Sequence, residues 1–395
     1  MAHPGGVLLG TNRITRGPVI FDSFAGPAAG LTNPHVGVFG QTGSGKTVLL
    51  KVYAARKVVS GTQVVILDPE REYAPAVEAL GGHVIRLEAG VPSGLNPLEV
   101  EAEAADADTA GTVNLADKVA DVRALVAHML ALHGGALSPE ESALLDRVLF
   151  RLYTDRGITA DGNSLYEEYS RVDGEIYRAG RQKKRMPRLR DLHAAMQNEP
   201  GLQRVALLIE PYLEGQSMGI FDCDSMEGLV DSPLICFDLY GLDERYVRPL
   251  AMHVVLSWIA ERFVKQRRGV RKMVVVDEAW MMLQRPETAA FLEDLARRAR
   301  KRLTALVLAS QSFYEFGEGA GRAVLNNLGT RIIMSQKPEQ LADAAAVFQL
   351  TEGERAAVAR FGRGDALIKT GNQSVWVLVE ATPAERALLA IPEGD

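Results

Sequence analysis

The chain contains 395 residues, of which 24% are charged and 47% are hydrophobic, and its formal net charge is −6. This composition excludes a disordered or fibrous protein, and the length is sufficient for a large hydrophobic core. Two cysteines, Cys223 and Cys236, cannot form a disulfide framework, so we expect a reducing compartment. No stretch approaches the roughly 18 uncharged apolar residues that a membrane helix needs. We therefore expect a globular cytosolic protein that does not span a membrane.

Short β-branched segments alternate with helix-period patterns along most of the chain. The predicted strands are Val19–Phe21, Val36–Phe39, Val64–Leu67, Val84–Leu87, Leu234–Phe237, Met273–Val276, Leu306–Ala309, Arg331–Met334, Ala366–Ile368 and Val375–Val379. The runs near Val64, Met273 and Leu306 are continuously apolar, as strands covered on both faces are. The last two strands flank a Thr-Gly-Asn turn at residues 370–372, which indicates a hairpin. This alternation predicts an α/β fold with a mostly parallel central sheet.

The alternation fails between about residues 99 and 229, where an acidic, alanine-rich stretch is followed by helix-period patterns. The clearest helices are predicted over 115–132 and 139–153. Ser138 precedes the second helix and Glu141 follows three positions later, which is the spacing of a capping box. The predicted organisation is a sheet domain, an inserted all-helical subdomain and the continuation of the sheet domain, at residues 1–98, 99–229 and 230–395, respectively.

Residues 40–47 match the pattern G-x-x-x-x-G-K-[ST] at every position. Glycines allow backbone N–H groups to turn inward around phosphates, and a helix beginning near Gly45 directs its positive dipole end towards them. Lys46 can reach the β- and γ-phosphates, and the Thr47 hydroxyl can ligate Mg²⁺. The flanking segments HVGVF and VLLKVYAARKVV supply the required strand and helix. The sequence therefore predicts a site for ATP and Mg²⁺ formed by Gly40, Gln41, Thr42, Gly43, Ser44, Gly45, Lys46, Thr47 and Val48.

A second candidate element is the apolar segment KMVVV followed by Asp277 and Glu278. Asp277 would belong to the Mg²⁺ site, and Glu278 would polarise the attacking water as a general base. Alone, this pattern is equally consistent with a strand that enters a solvated turn. Together with the P-loop it favours ATP hydrolysis, because nucleotide kinases and small GTPases do not usually need the adjacent glutamate.

A third candidate element is the strand that ends at Gln311, which fits a γ-phosphate sensor between the P-loop strand and the strand before Asp277. An ordinary strand-end amide is the alternative. The basic run at residues 296–302 (ARRARKR) precedes this strand. It is either a solvated helix face or the source of an arginine finger that reaches the nucleotide of a neighbouring subunit. Such a finger is worth roughly 10³–10⁵ in rate, and lysine lacks its planar donor fork.

Taken together, these segments resemble the FtsK/HerA superfamily of P-loop motors, and within it the VirB-four, TraC and TrbE class of type IV secretion and conjugation ATPases. The matching segments are GGVLLGTNRITRGPVIFD, the P-loop, ILDPEREYAPAVEALGG, LNPLEV, SMGIFD, LICFDLYGL, VVVDEAW, LVLASQS and NNLGTRIIMSQ. They cover the sheet domain to about residue 340 and omit most of the insertion. The resemblance implies a RecA-like P-loop NTPase fold with the inserted all-helical subdomain.

The resemblance also implies a role for individual side chains. It assigns nucleotide contacts to Lys46 and Thr47, Mg²⁺ binding to Thr47 and Asp277, and catalysis to Glu278. Gln311 matches the sensor of the family. These assignments agree with the chemistry expected from the residue types alone.

Further positions are implied by the resemblance only. FtsK-like motors place a trans-acting arginine eleven positions before the sensor, which corresponds to Arg300, and Arg331 is the second candidate. Asp68, Glu70 and Arg71 match the DPER signature of the class. They either report on the nucleotide, contact a neighbouring subunit, or simply form a strand-end turn capped by the aspartate.

The function implied is that of an ATP-hydrolysing motor of a type IV secretion or conjugation system. Its expected partners are copies of itself in a ring, most simply a hexamer, inner-membrane components and sister ATPases of the system, and a DNA or protein substrate. The expected location is the cytoplasmic face of the inner membrane. Since the class carries a large N-terminal domain and this chain starts at the motor, we expect an excised C-terminal domain or a stand-alone relative.

Two alternatives remain open at this stage. One is a double-stranded DNA translocase of the FtsK/HerA kind, and the other is a nucleotide-gated assembly module with little turnover, which the complete set of motif residues disfavours. The densest basic run, at residues 178–190, contains no aromatic residue for base stacking. We predict that it is a solvated loop before a helix, and the sequence predicts no metal other than Mg²⁺ bound with nucleotide.

Overall fold

The computed structural model describes residues 1–103, 111–173, 176–243, 247–265, 269–371 and 373–392. The described chain forms two compact units, which we call the sheet unit and the helical unit. The sheet unit contains Met1–Ile85, Leu229–Tyr240 and Gly269–Asp395, and the helical unit contains Arg86–Gly228 and Gly241–Arg268. The domain boundaries expected at 98/99 and 229/230 stay a prediction. Part of the acidic stretch at the start of the predicted insertion, and Asn372 of the predicted hairpin turn, lie outside the described residues.

The strands, in chain order, are β1 (Val7–Asn12), β2 (Pro18–Phe21), β3 (Val36–Phe39), β4 (Gln63–Asp68), β5 (His83–Arg86), β6 (Tyr166–Asp173), β7 (Ile176–Lys183), β8 (Leu234–Asp238), β9 (Lys272–Val276), β10 (Thr304–Ser310), β11 (Thr330–Met334), β12 (Asp365–Thr370) and β13 (Gln373–Val379). Every strand predicted from the sequence is present, and its ends lie within two residues of those predicted. The structure adds β1, β6 and β7, which the sequence analysis did not identify.

The helices, in chain order, are α1 (Lys46–Val59), α2 (Ala74–Ala79), α3 (Leu115–Leu132), α4 (Pro139–Thr154), α5 (Leu189–Gln197), α6 (Gln203–Ile209), α7 (Val247–Trp258), α8 (Trp280–Leu283), α9 (Pro286–Arg298), α10 (Gly319–Asn326), α11 (Leu341–Phe348), α12 (Glu352–Val358) and α13 (Pro383–Leu388). The two helices predicted in the insertion are confirmed as α3 and α4. The capping box at Ser138 and Glu141 is present with both of its hydrogen bonds.

The strands of the sheet unit form one sheet in the order β2-β1-β13-β12-β11-β3-β10-β9-β4-β8-β5. From β11 to β8 the neighbouring strands run parallel, whereas β12, β13, β1 and β2 extend the sheet with antiparallel pairs. The mostly parallel sheet is therefore confirmed. All residues of β4, β9 and β10 are buried, as their continuous apolar runs predicted.

Helix α1 packs on the sheet and fixes the segment that follows the P-loop. Leu49 and Tyr53 of this helix join a core cluster with residues of the central strands. Lys57 of the same helix is only 1% exposed. Its ammonium lies 2.6 Å from the buried carboxylate of Asp22. A buried charge pair of this kind is sensitive to the loss of either partner, so it ties α1 to the loop that follows β2.

The helical unit contains α3 to α7 and a two-stranded antiparallel sheet. In this sheet Tyr166 of β6 is opposite Lys183 of β7, and Glu168 is opposite Arg181. The prediction of an all-helical insertion is wrong in this respect, as is the prediction of a loop at the start of the 178–190 run. The hairpin was missed because its strands carry charges at many positions and lack the apolar alternation that indicates a strand.

Candidate nucleotide-binding site

The P-loop connects the carboxyl end of β3 to α1, and its glycines are required by local geometry. Gly43 and Gly45 have φ values of +78° and +95°, a backbone region that favours glycine. A Cβ atom on Gly40 would lie 2.6 Å from Ser44 Oγ and 2.8 Å from Met334 Cβ. Side chains at these positions would therefore strain the loop or displace its neighbours.

Backbone hydrogen bonds hold the P-loop against the next strands of the sheet. The N–H of Gln41 donates to the carbonyl of Ser335, just after β11, at 2.9 Å. The N–H of Gly364, just before β12, donates to the carbonyl of Ser44 at 2.9 Å. The loop is thus preorganised by β11 and β12.

A cleft of about 480 Å³ opens beside the P-loop, which is within the usual size range of small-ligand sites. The predicted nucleotide-binding residues that line it are Gln41, Thr42, Gly43, Gly45, Lys46, Thr47 and Val48. Gly40 and Ser44 are not among the lining residues, and Ser44 is 2% exposed. Both residues are buried.

Lys46, Asp277 and Glu278 meet in this cleft. The ammonium of Lys46 donates a hydrogen bond to Oε1 of Glu278 and lies 3.6 Å from Oδ1 of Asp277. The second oxygen of Asp277 accepts a hydrogen bond from the Tyr73 hydroxyl at 2.7 Å. Burial, reinforced by the Asp277 carboxylate, raises the pKa of Tyr73, so this hydroxyl remains a donor. The P-loop lysine and the two carboxylates predicted after β9 therefore belong to one site.

Glu278 is held in a defined orientation. Its backbone has a φ of +48°, which is strained for a residue other than glycine and is commonly associated with functional sites. Its Oε2 accepts a hydrogen bond from the indole N–H of Trp280 at 2.6 Å, while Lys46 binds Oε1. Trp280 belongs to the DEAW segment, but no sequence pattern predicted this contact.

Gln311 lies at the same edge of the sheet, directly after β10. Strand β10 is located between β3 and β9, as predicted for a sensor strand. The hydroxyl of Thr42 donates to Oε1 of Gln311 at 2.8 Å, and both residues line the cleft. This contact fixes the amide beside the P-loop.

Asp68 closes the turn after β4. Its carboxylate accepts hydrogen bonds from the backbone N–H groups of Glu70, Glu72 and Tyr73 at 3.3, 3.1 and 2.9 Å. Burial raises the pKa of Asp68 to about 6, although the N–H donors of Tyr73 and Glu72 oppose this shift. This is the capped strand-end turn that the sequence analysis considered as one of its interpretations.

Arg71 follows in the same turn, and its side chain contacts one residue at the end of β8 and another just after it. Its φ is +60°, its guanidinium lies 2.7 Å from the buried carboxylate of Asp238, and the guanidinium stacks 5.2 Å from the ring centre of Tyr240.

Glu70 and Glu72, which flank Arg71 in this turn, line the cleft. Oε2 of Glu72 accepts a hydrogen bond from the Thr47 hydroxyl at 2.7 Å. Glu72 was not among the predicted site residues, although its position within DPEREY was an available signal.

Other residues line the cleft without a distinguishing sequence motif. Lys51 of α1 donates to the carbonyl of Leu389 at 3.4 Å, and burial lowers the pKa of Lys51. Arg363 and the segment 390–392 complete the wall. These contacts join distant parts of the chain, so local patterns could not predict them.

The two candidate arginine fingers do not reach this cleft within their own chain. Arg300 precedes β10 at its amino end, and the seven residues of β10 separate it from Gln311 by about 20 Å. Arg331 lies in β11 beside Gly37, near the amino end of the parallel strands. Burial lowers the pKa of Arg331. Both arginines are therefore located towards the edge of the sheet opposite the P-loop.

The oxygen donors of the cleft are compatible with Mg²⁺. In the described ranges no group of three or more His, Cys, Asp or Glu side chains is arranged to hold a metal ion. Mg²⁺ usually takes only one or two protein oxygens and completes its shell with phosphates and water. The hydroxyl of Thr47 and the carboxylate of Asp277 fit this requirement.

No helix in the described part of the chain is sufficiently long and apolar to cross a membrane.

Comparison with known proteins identifies relatives in conjugation and secretion systems. The chain is 26% identical over 285 residues to the conjugal transfer protein TrbE of Rhizobium radiobacter, covering 70% of this chain and 29% of that protein. It is 24% identical over 375 residues to TraC of Escherichia coli K12, covering 90% and 39%. It is also 24% identical over 349 residues to VirB4 of Bartonella henselae, covering 86% and 38%. The chain thus spans about a third of the length of these relatives.

Solved structures also include proteins that resemble this chain. The structure of VirB4 from Thermoanaerobacter pseudethanolicus matches with a TM-score of 0.73 and 26% identity, covering 96% of this chain and 97% of that one. A structure of the plasmid coupling protein TrwB with ADP and Mg²⁺ shares the fold, with a TM-score of 0.50, 14% identity and coverage of 94% and 91%. The predicted resemblance to the VirB-four, TraC and TrbE class is confirmed. Since the family model of the TraG P-loop domain matches residues 6–383, the chain belongs to that family.

Proposed function

We propose that this chain is a Mg²⁺-dependent ATPase that powers a type IV secretion or conjugation system. The observation that carries the proposal is the convergence of Lys46, Thr47, Asp277, Glu278 and Gln311 on one cleft. The relatives add support, because they are conjugal transfer and type IV secretion proteins.

In this proposal the P-loop N–H groups and Lys46 bind the β- and γ-phosphates of ATP. The ammonium of Lys46 balances the charges of Asp277 and Glu278 before the phosphates arrive, because it already lies beside both carboxylates. Thr47 and Asp277 would hold Mg²⁺, which when bound neutralises negative charge on the phosphate oxygens.

Glu278 acts as the general base in hydrolysis. It accepts a proton from the water whose oxygen attacks the γ-phosphorus, while the bond from that phosphorus to the ADP oxygen breaks. The hydrogen bond from Trp280 keeps the carboxylate in position for this transfer. Gln311 contacts the γ-phosphate and senses whether it is present.

We further propose that an arginine from a neighbouring subunit completes the site. Arg300 is the first candidate because it is exposed and makes no ion pair within the described residues, whereas Arg297 and Arg298 pair with Glu293 and Asp294. Arg331 is the second candidate. An arginine at the edge opposite the P-loop can serve a neighbour in a head-to-tail ring, and a hexamer is the expected ring.

The proposed partners follow from the relatives. They are the inner-membrane components and sister ATPases of the secretion system, with DNA or a protein as the substrate. The proposed location is the cytoplasmic face of the inner membrane, reached through these partners. The choice of partners is supported by TrbE and VirB4, which are a conjugal transfer protein and a type IV secretion protein.

The first test is Glu278→Gln, which retains the shape of the side chain but removes the base. We expect ATP turnover to fall by at least about 100-fold, since general-base catalysis contributes about 10²–10⁴. Binding of a fluorescent ATP analogue should persist. Glu293→Gln, which removes a carboxylate from α9, is the control and should retain turnover.

The outcomes of this test separate the alternatives. Equal turnover in Glu278→Gln and wild type would contradict the proposal. Absence of Glu278-dependent turnover under every condition, with nucleotide binding intact, would favour a nucleotide-gated module. Strong stimulation of turnover by duplex DNA would favour a DNA translocase.

A further inference from the structure

The hydroxyl of Thr47 and the carboxylate of Glu72 form a contact between two separate elements of the sheet unit. Thr47 is the second residue of α1, and Glu72 lies in the turn between β4 and α2. The Thr47 hydroxyl donates to Oε2 of Glu72 over 2.7 Å. The backbone of Glu72 is itself fixed, because its N–H donates to the buried carboxylate of Asp68. Glu72 is therefore presented to Thr47 by a rigid turn.

This contact has a direct consequence for metal binding. A hydroxyl carries one proton and two lone pairs, and a hydroxyl that ligates a cation must direct its proton elsewhere. We propose that Glu72 is a positioning residue that accepts the Thr47 proton and so orients the Thr47 oxygen towards Mg²⁺. This inference rests on the proposed function, because it requires Thr47 to be a ligand of the nucleotide-bound ion.

The chemistry of Glu72 suits this role. A hydrogen bond to a carboxylate is about twice as strong as one between neutral groups. Loss of the partner that orients a metal ligand typically lowers metal affinity by about 10–100-fold. Glu380 offers a matched control, because its Oε2 also accepts a hydrogen bond from a threonine hydroxyl, that of Thr11 at 2.6 Å. Glu380 does not line the cleft, so only Glu72 has the proposed function.

The test measures the Mg²⁺ concentration that half-saturates the protein with a fluorescent ADP analogue held at fixed concentration. We expect Glu72→Ala to raise this midpoint about tenfold or more. We expect the affinity for the analogue in EDTA to change less than threefold. Glu72→Gln retains an oxygen acceptor and should give an intermediate midpoint. Glu380→Ala should shift the midpoint by less than about threefold.

A double-variant cycle tests whether Glu72 acts through Thr47. In a Thr47→Ala background, the further change Glu72→Ala should leave the Mg²⁺ midpoint nearly unchanged, because the hydroxyl to be oriented is gone. Additive effects of the two substitutions would overturn the proposal. So would a midpoint for Glu72→Ala equal to that of wild type or of Glu380→Ala.

Failure of this inference can be distinguished from failure of the proposed function. If the wild-type protein binds the ADP analogue neither with Mg²⁺ nor with EDTA, the nucleotide site itself is wrong. If wild type shows Mg²⁺-dependent binding and Glu72→Ala shares it fully, only the role of Glu72 is wrong. Should Glu72→Ala fail to fold, Glu72→Gln provides the comparison, and a wild-type midpoint in that variant would contradict a role for the carboxylate charge.

Discussion

At the scale of single residues, two hydrogen bonds hold Glu278, the proposed general base. Its two carboxylate oxygens have separate donors, Lys46 and Trp280. The left-handed backbone at Glu278 directs the side chain, and such strain costs on the order of 1–3 kcal/mol. A carboxylate held this firmly needs little reorganisation when it accepts a proton.

This arrangement predicts the effect of Trp280→Phe. The substitution retains an aromatic ring but removes the indole donor, so the carboxylate of Glu278 becomes less well oriented. We expect kcat to fall about tenfold, which is less than the loss of about 10²–10⁴ expected when the base itself is removed, with little change in the affinity for ATP. Steady-state phosphate release and binding of a fluorescent ATP analogue provide the two measurements.

A matched control is Trp376→Phe, which also removes an indole hydrogen bond to a carboxylate, here to Asp365 at 3.2 Å. Trp376 does not line the cleft, so turnover should be unchanged. If both variants lose the same fraction of kcat, the contact between Trp280 and Glu278 has no specific role in turnover.

Some of these residues could be predicted from the sequence and others could not. Lys46, Asp277, Glu278 and Gln311 belong to motifs whose spacing is dictated by the chemistry of a nucleotide site. Glu72 differs, because it meets Thr47 only when β4 and α1 are placed side by side in the fold. The DPEREY segment marks the position of Glu72, but no local pattern predicts its contact with Thr47.

At the scale of elements, the order of the parallel strands assembles the site. Strand β10 lies between β3 and β9, so the P-loop, Gln311 and Asp277 emerge at the same edge. The strands themselves were predictable from continuous apolar runs. Strand β1 was not, because Val7–Leu9 is a short apolar run before polar residues and pairs with β13 from the far end of the chain.

His35 connects two of these central strands. It lies just before β3, is fully buried, and accepts a hydrogen bond from the backbone N–H of Leu306 in β10 at 3.0 Å through Nδ1. Burial lowers the pKa of His35 to about 4, and the nearby charge of Arg300 contributes to the same shift. Protonation of this imidazole would remove the acceptor and place a charge in the core.

The position of His35 predicts a pH dependence of stability. Because the pKa of His35 is lower in the folded state than in the unfolded chain, its stabilising contribution is present above about pH 6.5 and is lost as the pH falls towards 4. Between pH 7 and pH 5 this should cost about 2 kcal/mol of unfolding free energy. Urea unfolding at the two pH values measures the effect.

In His35→Gln the loss of unfolding free energy between pH 7 and pH 5 should be smaller by about this amount, because glutamine does not titrate. His83→Gln at the exposed start of β5 is the control and should retain the wild-type dependence. An unchanged pH dependence in His35→Gln would show that other groups are responsible for it.

At the scale of the whole molecule, the cleft contains the predicted lysine, carboxylates and glutamine but neither of the two predicted arginine fingers. Arg300 and Arg331 lie towards the opposite edge of the sheet from the cleft. In our proposal the activity depends on assembly, because Arg300 or Arg331 of one subunit would complete the cleft of its neighbour. The sequence indicated the fold class and the motor family, but the surfaces that contact neighbouring subunits have no pattern that could be read from it.

The most direct test of this account is a mixing experiment with Arg300→Ala and Lys46→Ala, followed by steady-state ATP hydrolysis. Each variant alone should be at least about 100-fold slower than wild type, since a finger is worth roughly 10³–10⁵ and the lysine binds the phosphates. Arg298→Ala, which removes an arginine paired with Asp294, should retain turnover.

An equimolar mixture should recover a clearly measurable fraction of wild-type turnover, because Lys46→Ala subunits donate Arg300 to the intact clefts of Arg300→Ala subunits. Recovery with Arg331→Ala in place of Arg300→Ala would assign the finger to the second candidate. Wild-type turnover in both arginine variants would contradict the proposal that an arginine of one subunit completes the site of another. Mixtures that remain as inactive as their components would contradict it as well.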